Sequence, residues 1–139
     1  MSKFDTDQFM VKAAADDLQH FVGRSQLAAL CHAAKGDERA WFITRLVELA
    51  AAIHAMPRPY AQDGLGKRAV AHLHYFTGSA DFYITERDAS DEQLQAFGLA
   101  DLFRDGGELG YISITELVAN GAELDLHWTP KTLAAIEGI

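Results

Sequence analysis

The sequence predicts an α+β fold: three N-terminal helices, then a small, mainly antiparallel β-sheet with one or two short helices. Three observations carry this. Up to about Met56 the apolar residues recur at helical spacing among many alanines and few β-branched residues. From Pro57 to Lys67 the stretch PRPYAQDGLGK places two prolines and two glycines close together, the mark of a connection. Beyond it, short alternating runs are separated by turn residues. The chain is therefore read as a helical region over 1–56, a connection over 57–67 and an α+β domain over 68–139, forming one compact unit overall.

In the helical region, Asp5 or Thr6 is placed to cap a first helix whose stripe is Phe9, Met10, Ala13, Ala14, Leu18, Phe21 and Val22, ending at Gly23. Ser25 caps a second helix that ends near Gly36. Asp37 opens a third, with Trp41, Phe42, Leu46, Leu49, Ala50 and Ile53 on its apolar side and Pro57 stopping it. These stripes read as core packing. The strands are expected at Ala69 to Phe76, Ala80 to Thr85, Gln93 to Leu102, Leu109 to Ile112 and Glu123 to Trp128. Ser113 and Glu116 form a capping box for a brief helix closed by Asn120 and Gly121, and Thr129 before Pro130 predicts a terminal helix.

Composition bounds the function. The 139 residues are 49% hydrophobic and 23% charged, those of an ordinary globular protein long enough to bury a core. Twelve basic against twenty acidic residues give a formal net charge of -8, which disfavours direct binding to a nucleic-acid backbone and suits a basic protein partner or plain solubility. Cys31 is the single cysteine. It excludes an intrachain disulfide, points to a reducing cytoplasm, and reads as a small buried thiol beside Leu27 and Leu30. The acidic start MSKFDTDQF is not a signal peptide, and LVELAAAIHAM is too short and too interrupted to span a membrane.

The segment Val70 to Glu86 reads as a hairpin. A turn at Gly78 and Ser79 pairs Tyr75 with Phe82 and Leu73 with Ile84 on a core face, and Phe76 with Asp81, His74 with Tyr83 and His72 with Thr85 on a polar one. His72 and His74 would project from one face about 7 Å apart, a spacing two metal-bound imidazoles can use. Asp81, or Asp101 on the next strand, is the available carboxylate, yet spacing fixes no third ligand. The alternative for the same face is His74 stacked on Tyr83 with His72 hydrogen-bonded to Thr85. As catalytic groups the candidates are His72, His74, Asp81 and Tyr83; as binding groups, Phe76, Tyr83, Thr85 and Asp101.

No nucleophile elbow, phosphate loop, dinucleotide fingerprint or paired zinc-ligand motif is present, so no cofactor is assigned. The last strand carries a second set, Glu123, Asp125 and His127, that meets the first only if it lies beside the hairpin. The stretch ERDASDE from Glu86 to Glu92 reads as a solvated acidic loop.

The runs AHLHYFTGSADFYITERD, QAFGLADL, ELGYISITEL and ELDLHWTPKTL together resemble an uncharacterised bacterial family, domain of unknown function 2958. The similarity covers about Val70 to Ile136 and leaves the helical half outside. It implies a bacterial protein of the plasmid and mobile-element gene pool, and carries no catalytic residue with it. The leading functional expectation is a non-enzymatic protein-binding or adaptor module, with a homodimer as its candidate assembly. The alternative is a small metal- or histidine-dependent hydrolase using the His72, His74 and Asp81 face.

Overall fold

The computed structural model describes residues 2–139, which form two compact units, one ending at Ala55 and one running from Met56 to Ile139. In the first, α1 (Lys3–Leu18) and α2 (Arg24–Ala33) pack against α3 (Arg39–Ala55). Ser2, rather than Asp5 or Thr6, caps α1: its Oγ accepts the Asp5 backbone N–H at 3.1 Å, relieving a donor that the helix leaves unpaired. The buried stripe is Val11, Ala14 and Leu18, so the expected Phe9 and Met10 lie off its axis and are 69% and 40% exposed. Gly23 caps α2, leaving Ser25 inside the first turn. Ile43, Leu46, Leu49, Ala50 and Ile53 form the buried side of α3, whose Trp41 is exposed. Cys31 is only partly buried.

The second unit is built on a five-stranded antiparallel sheet. Its strands are β2 (Leu73–Phe76), β3 (Asp81–Glu86), β4 (Ala96–Asp101), β5 (Glu108–Ile112) and β6 (Glu123–Leu124), in the order β5-β4-β3-β2-β6. A separate pair joins β1 (Val70–Ala71) to β7 (Lys131–Thr132). The expected first strand is thus broken at His72. Ser113 caps α4 (Ile114–Ala119) by accepting the Glu116 N–H, and Gly121, at φ 91°, follows its end as the sequence predicts. Thr129 and Pro130 open no α-helix. Thr132 pairs with Val70 instead, and a single 3-10 turn, Leu133–Ala135, drops Leu133 into the core.

The hairpin register is the one counted from the sequence: Leu73 opposite Ile84, His74 opposite Tyr83, Tyr75 opposite Phe82 and Phe76 opposite Asp81. Thr77 and Ala80 close the turn. One face buries Leu73, Tyr75, Ile84, Ala96 and Leu124. The other carries an apolar cluster as well: Tyr83 and Leu99 pack with Ala71, Leu133 and Ile136, and Trp128 closes over them.

Between Ile84 and Glu86 the pairing of β3 with β4 shifts: Ile84 faces Gly98, yet Glu86 faces Phe97. The extra residue reverses the alternation, so Glu86, which would otherwise follow Phe82 and Ile84, turns onto the face of Phe97 and Leu99. Gly98 accommodates the close approach. A Cβ there would lie 2.0 Å from the Tyr83 carbonyl oxygen.

Candidate functional site

At the hairpin end of the sheet the central group is His74. Its Nε2 lies 2.8 Å from Asp81 Oδ1 and its Nδ1 2.9 Å from Asp125 Oδ2. An ionised carboxylate only accepts hydrogen bonds, so with both carboxylates ionised both contacts are filled only when each ring nitrogen carries hydrogen. The chain of charges continues outward. Arg104 Nε donates to Asp81 Oδ2 at 2.8 Å, and its terminal nitrogens donate to the carbonyls of Thr77 and Gly78 in the turn. Arg104 sits at φ 55°, in the left-handed region, at the bend between β4 and β5. His74 also stacks on Tyr83 at 4.8 Å between ring centres, with Trp128 at 5.2 Å and Phe76 at 6.0 Å.

The electrostatics follow from these contacts. Burial pushes the Asp81 carboxyl up, but hydrogen bonds from Arg104 and His74 and their charges outweigh it and hold it below the usual carboxylate range. Burial, reinforced by Asp81 and Asp101, raises the Tyr83 phenol. Asp101 faces Asp81 across the strands and accepts the Asp105 N–H, closing the β4 to β5 bend. His72 stands apart from the His74 contacts: desolvation lowers its pKa, opposed by the charge of Glu86. The Thr85 hydroxyl donates to the Glu86 carboxylate and lies 3.2 Å from the Phe97 carbonyl oxygen, in place of the expected bond with His72.

The structure thus brings together His74, Asp81, Tyr83 and Phe76 of the expected set, with Asp101 alongside, and leaves His72 and Thr85 elsewhere. Among the described residues no three His, Cys, Asp or Glu side chains are placed to hold one metal ion, so His72, His74 and Asp81 are not gathered as a metal site. Asp125 was the legible addition, since the last strand does lie beside the hairpin. That strand is only two residues long, because Asp125 turns to accept the His127 N–H and its alternation stops there. His127 is exposed rather than added to the cluster.

At the other end of the same face lies a cleft of about 380 Å³ that the sequence reading did not identify. The row Glu86, Phe97 and Tyr111 runs across β3, β4 and β5, and Tyr60 reaches over from the connection to place its hydroxyl 2.8 Å from that of Tyr111. Leu109, Pro59 and Ala69 complete the apolar lining. Gln62 fixes the connection in place: its side chain donates to the carbonyls of Val70 and Thr85 and accepts the Val70 N–H. Thr85 and Glu86 form part of the lining, with Glu86 only 3% exposed. The expectation of a solvated loop from Glu86 therefore fails at that residue, which the bulge carries into the sheet.

The match to a family model spans residues 43–129, more than half of the chain, and that model is described as protein of unknown function DUF2958. This chain belongs to that family. The match starts within α3, earlier than the resemblance from Val70, and ends at Thr129. No curated protein and no solved structure matches the chain. Among the described residues no helix is long and apolar enough to cross a membrane.

Proposed function

We propose that this member of DUF2958 is a non-enzymatic binding module that engages a basic protein partner through the cleft between the connection and β3, β4 and β5. The observation that carries the reading is the distribution of groups over one sheet face. The open, apolar-walled cleft has Glu86 in its lining, whereas the histidine best placed for acid-base work has a carboxylate oxygen on each nitrogen. While both contacts hold, His74 has no lone pair with which to take a proton from a substrate. The charge chain Asp125, His74, Asp81 and Arg104 instead ties β2, the hairpin turn and the bends after β4 and β6 into one frame. The hydrolase reading requires one of those contacts to open.

The bacterial cytoplasm and the mobile-element setting implied by the family resemblance are where such a partner would be sought. The test is recovery of a partner from a bacterial extract, followed by reconstitution from the two purified proteins. Binding is expected to be lost in Tyr111→Ala and kept in His74→Phe. Binding indifferent to Tyr111, or turnover of a hydrolysable substrate that disappears in His74→Phe, would overturn the proposal.

A further inference from the structure

We infer that the cleft is a receptor for a lysine side chain of the partner, with the ammonium group against Glu86 and the aromatic rings beside its path. The inference rests on the binding-module reading and specifies its chemistry. Glu86 is almost fully buried, and its carboxylate accepts the Thr85 hydroxyl and, at 3.3 Å, the Gln62 N–H. Among the described residues no lysine or arginine forms an ion pair with it, and the neighbouring group on which its charge acts is the half-buried imidazole of His72. Two neutral donors leave part of a carboxylate's accepting capacity unused. The cleft supplies the complement of that deficit. Its lining holds Asp63 beside Glu86 and contains no Lys, Arg or His, so any charge it attracts is positive.

Shape narrows the ligand further. Phe97 and Tyr111 meet edge to face at 5.6 Å, and Tyr60 and Tyr111 are joined through their hydroxyls at the mouth. Aromatic faces attract a cation within about 6 Å, and the apolar lining from Leu109 and Pro59 suits a methylene stem whose head alone is charged. A volume of about 380 Å³ lies at the small end of the usual range for ligand pockets, roughly 300–1,000 Å³, and fits one side chain rather than a folded segment. Inorganic anions and phosphate esters are the wrong sign for this site.

The experiment is a chemical-shift titration of the full chain with the acetylated and amidated peptide Ala-Ala-Lys-Ala-Ala, with the same peptide carrying norleucine for lysine, and with n-butylammonium. The lysine peptide is expected to give saturating shifts confined to the amides of residues 60–66, 85–86, 97 and 109–111. Norleucine, which keeps the stem and deletes the charge, is expected to bind about tenfold more weakly or worse, and Glu86→Gln to lose a similar factor for lysine alone. Glu137→Gln, which removes one charge from the exposed C-terminal turn, should change nothing. Should Glu86→Gln fail to fold, Tyr111→Ala serves in its place, since it removes a wall from an exposed edge strand.

Equal binding of the norleucine and lysine peptides would overturn the ammonium site and leave the binding-module reading standing. Binding of n-butylammonium with none of the lysine peptide would keep the cation site but overturn a protein lysine as its occupant, and the partner reading with it. No saturation by any of the three overturns the inference.

Discussion

Replacing His74 by phenylalanine isolates what the half-buried contacts of His74 with Asp81 and Asp125 contribute to the second unit. The substitution retains a ring to stack on Tyr83 and deletes both contacts to carboxylates. A hydrogen bond to a charged group contributes about 1.5–3 kcal/mol, so two in a dry interior would reach about 3–6 kcal/mol. The Asp81 and Asp125 side chains are 16% and 26% exposed, however, so water recovers part of that loss, and Arg104 continues to neutralise Asp81. The expected destabilisation is therefore about 2–4 kcal/mol. The assay is urea unfolding followed by Trp128 fluorescence in a Trp41→Phe background, which confines the signal to the second unit. With a slope of about 2 kcal/mol per molar urea, the midpoint should fall by about 1–2 M. A change below about 0.5 kcal/mol would refute the reasoning, because it would place these contacts among solvent-screened surface pairs.

Two further outcomes follow from the same geometry. Because Asp81 is held below its ordinary value of 3.8, its ionised form stabilises the fold above that value, and the contribution is lost as the pH falls through the lower folded value. Thermal melts should therefore lose stability steeply below about pH 4, and Asp81→Asn should be less stable at neutral pH with a flatter acid limb. Gly98→Ala should force β3 and β4 apart, since its Cβ would meet the Tyr83 carbonyl oxygen at 2.0 Å, whereas Gly110→Ala meets nothing within 4 Å. The first is expected to cost about 1–3 kcal/mol or more and to weaken lysine-peptide binding, the second to cost little, both read by denaturation and titration.

The parts of this molecule that sequence made legible are those governed by local period. Helical spacing before Met56 and strand alternation after Lys67 predict the α+β order, and simple counting from Gly78 and Ser79 gives the hairpin register and the stacking of His74 on Tyr83. What local period misses is where it is broken. The shift at Thr85 is one residue long, yet it turns Glu86 from a solvated position into the buried lining of a cleft, and no turn residue marks it. The break at His72 interrupts the strand ahead of His74, and among the described residues no group of three or more metal-ligating side chains forms. Tyr60 reaches Tyr111 across 51 positions, and Arg104 reaches Asp81 across 23, separations that no window on the chain reveals. Phe9 and Trp41 err the other way. Their spacing suggests a stripe, but Val11, Ala14 and Leu18 set the phase of α1 and Ile43, Leu46 and Leu49 that of α3, and a large apolar side chain is not thereby buried.

Amide hydrogen exchange of the reconstituted complex tests the central claim most directly. New protection at residues 60–66, 85–86 and 109–111, with residues 72–83 unchanged, is the result predicted for a partner seated in the cleft. Protection confined to the hairpin around His74, or to the helical unit, would contradict it.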